Sequence, residues 1–335
     1  MVPIANFTGR IDSMPKIATV IPNWNGADFL KACLDSLLAQ TQIHTIIVVE
    51  NGSTDGSDDI LASYGNKIIV LKQPKNLGFA GGVNVGINYA IDNDFDYVAL
   101  FNNDAVADKH WLKELVGAIS EDDKIGAVTC KFMRLDGKKL DSTGDFYTYH
   151  GLPYPRGRNE KDTGQYDNQT NIFMASGGAS VFSAAMFKQI GLFDEDFFAY
   201  YEDIDLGFRM QLAGWNVRYE PNAIAYHHVS GTGSKINGFG IYQTATNFWY
   251  VYVKNMPGWL FFKYLPLVCY WFARMFAARF IRGDLWPYTK GTFRAIWNAP
   301  RTIAKRHKVQ KLRTVPISYI DSLIVHQKAP RPPKA

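Results

Sequence analysis

Cysteine is scarce in this chain of 335 residues, which has only Cys33, Cys130 and Cys269, far apart and without a CxxC pair. A disulfide scaffold and a cysteine-rich zinc module are therefore excluded, and the three thiols are typical of a reducing compartment. The first 25 residues lack a basic start followed by an apolar run, so we expect no signal peptide. The sequence also lacks a Walker A motif and a G-x-G-x-x-G dinucleotide fingerprint after its first predicted strand.

Charge is distributed unevenly along the chain. The net charge of +5 is the sum of −9 over residues 1–250 and +14 over residues 251–335. Apolar residues make up 47 % of the sequence and charged residues 20 %, an ordinary globular balance that excludes global disorder. The length fits two units, or one α/β domain with a tail. An acidic body with a basic tail indicates a partner for the tail, either nucleic acid or anionic lipid.

Strand-like and helix-like segments alternate over the first 240 residues. Short β-branched runs predict strands, and apolar residues at helical spacing predict the helices between them. This order predicts an α/β fold with a mostly parallel sheet covered by helices on both faces, and ligands at the carboxyl ends of the strands. The predicted strands are 17–22, 45–49, 67–71 and 97–101, and the predicted helices are 27–40, 57–64, 82–91 and 109–119.

Residues 131–175 interrupt this alternation. They are rich in Gly, Asp, Asn and Tyr and have little helical periodicity, so we expect a long irregular insertion or hairpin there. Helices at 184–189 and 204–212 and a strand at 217–219 are predicted to follow.

Polar residues collect where the predicted strands end. Glu50 begins a polar run after the second strand, residues 76–86 (NLGFAGGVNVG) follow the third, and Asn102, Asn103 and Asp104 follow the fourth. Asp104 can hold a divalent cation, and a glycine-rich helix start allows a phosphate to approach the backbone. Each motif alone can be ordinary turn chemistry. Three of them at one sheet edge favour a ligand site.

The densest chemical signal is a run of six carboxylates among aromatic residues between 193 and 206. Such a cluster is costly unless the carboxylates are solvated, paired or used. Glu202 and Asp203 precede the predicted helix 204–212, where the helix dipole would keep a carboxylate ionised. The alternative is an ordinary helix cap, which we expect for one of Asp203 and Asp205.

Two histidines, His227 and His228, follow the last predicted strand of the body. A histidine at this edge can bind a metal or contact a phosphate. The alternative is a purely structural histidine.

In this order, the motifs resemble those of the inverting glycosyltransferases of family 2, which have the A-type glycosyltransferase fold. The resemblance is greatest to a bacterial rhamnosyltransferase-like branch acting on cell-surface polysaccharides, and it spans about residues 15–240. The matching segments are 20–25 (VIPNWN), 50–57 (ENGSTDGS), 76–86, 102–104 (NND), 176–179 (SGGA), 191–195 (GLFDE), 202–206 (EDIDL), 213–215 (AGW) and 227–230 (HHVS).

The resemblance implies a set of nucleotide-sugar-binding residues. Some line the nucleotide pocket, some frame the base, some lie under the nucleotide, and some contact the ribose or a metal-bound water. Glu50 stands where the family more often has Asp, which leaves uridine and thymidine open. The nucleotide pocket would be lined by Pro22, Asn23 and Asn25, and the base would be framed by Glu50 and Asp55. The residues under the nucleotide would be Gly81, Gly82 and Asn84, and the ribose or a metal-bound water would be contacted by Asn102 and Asn103.

The resemblance also implies a metal site and a catalytic base. Asp104, the carboxylate of the motif that replaces D-x-D, would bind Mg²⁺ or Mn²⁺ together with His227, with His228 as a near-equal candidate. Asp203 would be the base, with Glu202 as the second candidate. The implied reaction is one displacement that inverts the anomeric carbon. It moves a sugar, with rhamnose as one candidate, from a nucleoside-diphosphate sugar to a hydroxyl of a growing cell-surface polysaccharide or lipid-linked glycan.

Two other functions compete with this one. A sugar nucleotidyltransferase should carry a basic, glycine-rich signature after the first strand, but no Lys or Arg occurs there before Lys31. A non-catalytic, membrane-associated carbohydrate-binding protein would not need Asp104 and the Glu202–Asp203 pair at one edge.

The C-terminal part of the sequence is basic and aromatic. In residues 256–280 the longest uncharged run extends only from Tyr264 to Ala273, whereas a membrane span needs ~20 residues. We therefore expect a nucleotide-sugar-binding catalytic domain at 1–240 and a helical basic extension at 241–335. The extension is predicted to bind an anionic membrane surface, which would place the protein peripherally on the cytoplasmic face of the cell membrane. The alternative is a helical pair packed on the catalytic domain. No nucleic-acid-binding module is recognisable.

Overall fold

The computed structural model describes residues 14–228 and 236–326. The strands of the main sheet and of a small hairpin are β1 (Ile17–Asn23), β2 (Thr45–Glu50), β3 (Ile69–Lys72), β4 (Tyr97–Phe101), β5 (Ala105–Ala107), β6 (Ile125–Arg134), β7 (Leu140–Ser142), β8 (Asp145–Tyr147), β9 (Pro153–Pro155), β10 (Ala179–Ser183) and β11 (Asn216–His227). The helices are α1 (Ala27–Leu38), α2 (Ser57–Ser63), α3 (Gly78–Asp92), α4 (Trp111–Ile119), α5 (Ala184–Ile190), α6 (Glu202–Leu212), α7 (Phe239–Asn255), α8 (Gly258–Arg282), α9 (Leu285–Trp297), α10 (Ala299–Lys311) and α11 (Ile317–Leu323).

One sheet forms the centre of the molecule, with its strands in the order β3-β2-β1-β4-β10-β6-β11-β5 and with β7 paired to β6. The four strands predicted from the sequence, β1 to β4, pair in parallel as expected. Beyond β4 the sheet becomes mixed, because β10 runs antiparallel to both of its neighbours. The α/β class is confirmed, and the parallel half ends at β4.

Both faces of the sheet are covered, as predicted. Alternate residues of each strand enter opposite cores, since successive side chains of a strand point to opposite faces. In β1, Ile17 and Ile21 pack with α1 and α4 on one face, while Ala18 and Val20 pack with α3 on the other. Gly86 of α3 lies so close to Val20 that an added Cβ would clash with its side chain, so this helix packs tightly onto the sheet.

The segment 131–175 is more regular than predicted. Its first four residues complete β6, a long strand buried on both faces, which shows no polar–apolar alternation in sequence. Strand β10 was likewise not predicted. Strand β11 extends well beyond the predicted 217–219 and passes through Pro221 at a register shift, where the sheet tolerates proline.

The C-terminal helices share a hydrophobic core with the α/β body. Phe248 and Tyr252 of α7 and Leu260 of α8 pack with Phe173 and with Phe208 of α6. The predicted division at residue 240 falls at the start of α7 and stays a prediction. Among the described helices, none is both long and apolar enough to cross a membrane.

Candidate active site

A cleft of about 930 Å³ opens where β1 and β4 end. Eight of the residues singled out from the sequence line it, and they come from four separate parts of the chain. These are Pro22, Asn23, Asn102, Asn103, Asp104, Glu202, Asp203 and His227.

A chain of amide hydrogen bonds connects the strand ends under this cleft. Asn103 Nδ2 donates to Asn23 Oδ1 at 2.8 Å, and Asn23 Nδ2 donates to Glu50 Oε2 at 2.6 Å. The second oxygen of Glu50 accepts from the backbone N–H of Ser53 at 2.7 Å. The structure therefore places Glu50 behind Asn23, buried, where it orients the side chains that face the cleft.

Asn25 and Asp55 join the loops after β1 and β2. Asn25 Oδ1 accepts from the backbone of Thr54 at 2.8 Å, and its own N–H donates to Ser53 Oγ at 2.9 Å. Asp55 accepts from the backbone of Ala27 at 2.9 Å. Neither side chain lines the cleft, so their predicted contacts with the nucleotide stay predictions.

The glycine-rich run lies inside a helix, since α3 begins at Gly78 instead of the predicted residue 82. Gly81 and Gly82 occupy its first turns, and Gly82 lies against Pro22. Asn84 is buried away from the cleft, and its amide group bonds both the N–H and the carbonyl of Phe193. Asn84 therefore fixes the backbone at Phe193, in the segment that leads to the carboxylate cluster.

Asp104 and His227 face each other at the cleft. His227 Nε2 lies 3.4 Å from Asp104 Oδ1, while Nδ1 donates to Asp141 Oδ2 at 2.9 Å and the ring stacks on Phe132. Burial lowers the pKa of His227, but the two carboxylates outweigh it and raise the pKa to about 9. The ring of His228 packs instead on Phe29. The structure therefore brings His227 to Asp104. Val229 and Ser230, which complete the HHVS motif, lie outside the described residues.

The Asp104–His227 pair fits a divalent cation that substrate oxygens complete. The described residues contain no group of three or more His, Cys, Asp or Glu side chains arranged around a metal. However, Mg²⁺ is commonly held by one or two protein ligands together with substrate phosphates, and adjacent ligands in its shell lie ~3 Å apart. A histidine whose second nitrogen donates to a carboxylate, as His227 does to Asp141, is the usual arrangement at metal sites.

Glu202 and Asp203 begin α6 and face the same cleft. Burial raises the pKa of Asp203 to about 7, although the backbone N–H of Gly177 partly offsets this effect. Burial and the neighbouring Asp203 raise the pKa of Glu202 well above its usual range, and Glu202 Oε2 has no hydrogen-bond partner in the described structure. Burial thus opposes the helix dipole, which was expected to keep a carboxylate ionised at this position.

The other carboxylates of the cluster form ion pairs or hydrogen bonds. Asp205 is fully buried between Arg209 and Lys254, so it is not a helix cap. The residue that caps α6 is Tyr201, in a left-handed conformation and without a side-chain hydrogen bond. Asp194 pairs with Lys254 and Lys305, and Asp196 pairs with Lys305 and Arg301, while Glu195 accepts from Asn84 Nδ2.

Several cleft residues were not found from the sequence. Trp24 and Phe79 belong to motifs already noted, whereas Phe239 lies at the end of the predicted catalytic domain, just before the predicted C-terminal extension. Asp141, which contacts His227 but does not line the cleft, belongs to the segment predicted as irregular. Phe198 and Tyr200 lie in the aromatic part of the carboxylate cluster, which was the only available signal.

Curated proteins of known sequence resemble the chain. An uncharacterised glycosyltransferase of Rickettsia typhi is 30 % identical over 199 residues, which cover 58 % of this chain and 58 % of that protein. The poly-beta-1,6-N-acetyl-D-glucosamine synthase of Staphylococcus aureus is 23 % identical over 226 residues, which cover 67 % of this chain and 52 % of the synthase. The chain thus matches little more than half the length of these relatives.

Solved structures share the fold. Residues 1–349 of the S. aureus protein TarS, in complex with UDP-GlcNAc, superpose with a TM-score of 0.56 at 15 % identity over 92 % of this chain and 90 % of that fragment. A mannosyltransferase of Pyrobaculum calidifontis, in complex with GDP-Man and Mn²⁺, gives 0.53 at 16 % identity over 89 % of this chain and 87 % of its own. A family model described as glycosyl transferase family 2 matches residues 19–191, from β1 to the end of α5. This match extends over more than half of the sequence, and the chain belongs to glycosyl transferase family 2.

Proposed function

We propose that the protein is an inverting glycosyltransferase that uses a nucleoside-diphosphate sugar and a divalent cation. The observation that carries this proposal is the meeting of two pairs in one cleft. Asp104 and His227 come from the strand edge, while Glu202 and Asp203 come from the start of α6. A sugar nucleotidyltransferase or a carbohydrate-binding scaffold requires no such combination of a cation site and a carboxylate with a raised pKa.

In this mechanism, Asp203 accepts the proton of the acceptor hydroxyl on one of its carboxylate oxygens while that hydroxyl attacks the anomeric carbon. A pKa near 7 suits a general base at neutral pH. The bond from the anomeric carbon to the diphosphate breaks in the same displacement, which inverts the configuration. Burial and the neighbouring Asp203 raise the pKa of Glu202, which disfavours a second negative charge beside the base.

The strand edge holds the leaving group in this proposal. Asn103, held by Asn23 and through it by Glu50, offers its amide group to the nucleoside part. Asp104 and His227 would hold Mg²⁺ or Mn²⁺, which when bound neutralises the charge that develops on the diphosphate. The Mn²⁺ complex of the mannosyltransferase from P. calidifontis supports this cofactor.

For the substrates, the relatives support a sugar-nucleotide donor and a glycan acceptor. UDP-GlcNAc is bound in TarS, and the synthase of S. aureus is named for a polysaccharide of N-acetylglucosamine. The rhamnosyltransferase-like motifs support rhamnose as a further candidate sugar. Phe198, Tyr200 and Phe239 give the cleft an aromatic wall on which acceptor sugars, in a growing polysaccharide or a lipid-linked glycan, can stack.

We further propose that the helices α8 and α9 attach the protein to an anionic membrane surface on the cytoplasmic side. One side of α8 is buried at Leu260, Tyr264 and Val268. The opposite side is exposed and uncharged at positions alternately three and four residues apart. These positions are Trp259, Phe262, Pro266, Cys269, Ala273, Phe276 and Phe280.

Helix α9 also exposes large apolar side chains, namely Trp286, Phe293 and Trp297, the last of which is 86 % exposed. Residues 251–335 contain 16 basic and only two acidic residues. Aromatic side chains enter the headgroup boundary, and nearby Lys and Arg add attraction to anionic lipids. This charge balance favours an anionic lipid surface over a second copy of the chain, whose identical basic helices would repel.

A donor screen tests the enzymatic proposal. Release of nucleoside diphosphate from UDP-, TDP- and GDP-sugars is measured with and without Mn²⁺, together with thermal shift. We expect one donor to give a Mn²⁺-dependent shift and slow hydrolysis, both lost in Asp104→Asn. Both the thermal shift and the hydrolysis should be retained in Asp108→Asn, which changes a nearby carboxylate that does not line the cleft. No shift with any nucleotide and metal would contradict the proposal.

Vesicle flotation tests the membrane proposal. The protein should float with vesicles that contain phosphatidylglycerol but not with pure phosphatidylcholine, and Phe280→Ser with Trp297→Ser should reduce binding by about tenfold or more. Ile43→Ser, which changes an exposed isoleucine before β2, is the matched control and should bind normally. Failure to float would contradict the proposal. So would a wild-type dimer in light scattering that the double variant converts to monomer.

A further inference from the structure

The loop 198–203, which we name the catalytic loop, has an unfavourable backbone conformation. Phe198, Tyr200 and Tyr201 all have positive φ angles, of 61°, 67° and 73°. Side chains other than glycine rarely adopt such angles, and several within four residues persist only when the surroundings enforce them. This loop ends with Glu202 and Asp203 at the start of α6, so whatever enforces its conformation also sets the position of the proposed base.

The enforcing contacts come from α7, which follows the α/β body in sequence. Asn247 is fully buried, and its Nδ2 lies 2.9 Å from the carbonyl of Phe197, 2.9 Å from that of Ala199 and 2.7 Å from that of Tyr200. The carbonyl between them, that of Phe198, accepts from the N–H of Ala80 in α3. Two helices therefore contact four successive carbonyls of a tight loop, with the two hydrogens of Asn247 Nδ2 shared among three of them.

Lys254, two turns further along α7, holds the segments on both sides of the loop. Its Nζ lies 2.6 Å from Asp194 and 2.8 Å from Asp205, and the side chain is only 5 % exposed. Asn255 adds a hydrogen bond to Asp205 at 2.9 Å. Removing the cation would leave Asp194 with Lys305 and Asp205 with Arg209 as the remaining cationic partners, and would break the bridge between the two carboxylates. One helix thus fixes the loop at its centre and at both ends.

We propose that α7 is a positioning element of the active site, in which Asn247 and Lys254 hold the catalytic loop so that Asp203 faces the cleft. Neither residue lines the cleft, so neither is a catalytic residue. The proposal deepens the proposed function and rests on it for the role of Asp203. The rigidity of the loop does not depend on the proposed function, because it can be measured without substrate.

The test compares two adjacent buried residues of α7. Asn247→Ala removes the donors to the loop. Thr246→Val is the matched control, because Thr246 Oγ1 donates to the carbonyl of Gly291 in α9 and does not contact the loop. Both changes should lower the melting temperature. Hydrogen exchange of residues 197–205 and the kcat of donor hydrolysis are then measured for both variants.

We expect Asn247→Ala to speed exchange in the loop by about tenfold or more and to lower kcat by a similar factor, while the affinity for nucleoside diphosphate stays unchanged. Thr246→Val should leave loop exchange and kcat near wild type. Unchanged loop exchange in Asn247→Ala, or an equal loss of kcat in Thr246→Val, would overturn the proposal. A wild type that binds no nucleotide would refute the proposed function instead, and the exchange result would stand.

If Asn247→Ala does not fold, native-state hydrogen exchange of the wild type in low denaturant tests the proposal instead. The proposal requires that the amides of residues 197–199 and those of α7 become exposed together, as one cooperative unit. A loop that opens at low denaturant while α7 stays protected would contradict it.

Discussion

The two halves of the cleft are held by different parts of the chain. The strand-edge half, which contains Asn23, Asn103, Asp104 and His227, is fixed by hydrogen bonds within the α/β body. The loop half, residues 198–203, depends on Asn247 and its neighbours in α7. In the proposed function, the strand-edge half binds the donor through residues of the body, whereas the placement of the proposed base also requires the C-terminal helices.

The largest effect is expected from Asp203→Asn, which removes the proposed base but changes the side-chain volume little. We expect kcat to fall by about 10³-fold while nucleoside diphosphate binds with unchanged affinity, since general base catalysis contributes ~10²–10⁴-fold. Steady-state donor hydrolysis and calorimetric titration measure the two quantities.

Thermal unfolding provides the control for Asp203→Asn. The pKa of Asp203 is raised on folding, so its ionisation costs stability as pH rises from about 4 to about 7. At pH 8 the melting temperature of the variant should therefore be no lower than that of the wild type. At pH 4, where the wild-type carboxyl is largely protonated, the difference in melting temperature should be less favourable to the variant than at pH 8. A melting temperature well below wild type at pH 8 would show that the loss of activity is a loss of structure.

The second effect concerns the strand-edge half. Asp141→Asn replaces the carboxylate that orients His227, and loss of such a partner typically weakens metal affinity by roughly 10–100-fold. Mn²⁺ titration in the presence of nucleoside diphosphate measures it. Asp145→Asn, in the neighbouring hairpin, is the control. Unchanged Mn²⁺ affinity in Asp141→Asn would show that His227 does not act through this hydrogen bond.

The pH dependence of kcat/KM should reflect the ionisation of Asp203 in the loop half of the cleft. Because Asp203 must be deprotonated to accept a proton, kcat/KM is expected to rise about tenfold per pH unit up to pH ~7 and then level off. Nucleotide affinity at saturating Mn²⁺ gives the comparison for the strand-edge half. An acid limb near pH 4, the ordinary range of a carboxyl, would contradict the buried environment of Asp203.

The smallest effect is expected from Glu50→Gln. The change weakens the bonds to Asn23 and Ser53 without emptying the space, so nucleotide affinity should fall by about tenfold, ~1.4 kcal/mol, while kcat stays close to wild type. Calorimetry and steady-state kinetics separate the two quantities. A fall in kcat without a change in affinity would reverse the assignment of the two halves.

The strand-edge half could be predicted because its residues directly follow strands with a clear local pattern. Asn102, Asn103 and Asp104 come after β4, and parallel strands bring their carboxyl ends together. The buried strands β6 and β10 were not found, since a strand buried on both faces lacks alternation.

The loop half could be predicted only in part. The six carboxylates are visible in sequence, but their partners are not. Lys254 and Lys305 lie 60 and 111 residues from Asp194 and belong to the region whose charge indicated a membrane. Asn247 leaves no local signal at all, since a buried amide in a helix resembles any other polar residue until the fold brings it to the loop.

The central claim is that Asp203 promotes a single displacement in this cleft, and the configuration of the released sugar tests it most directly. Donor hydrolysis is followed by ¹H NMR from its first minutes, with water in place of the acceptor. The account predicts that the first anomer formed is inverted relative to the donor and that Asp203→Asn stops its formation. A first product with retained configuration, or undiminished release by Asp203→Asn, would contradict it.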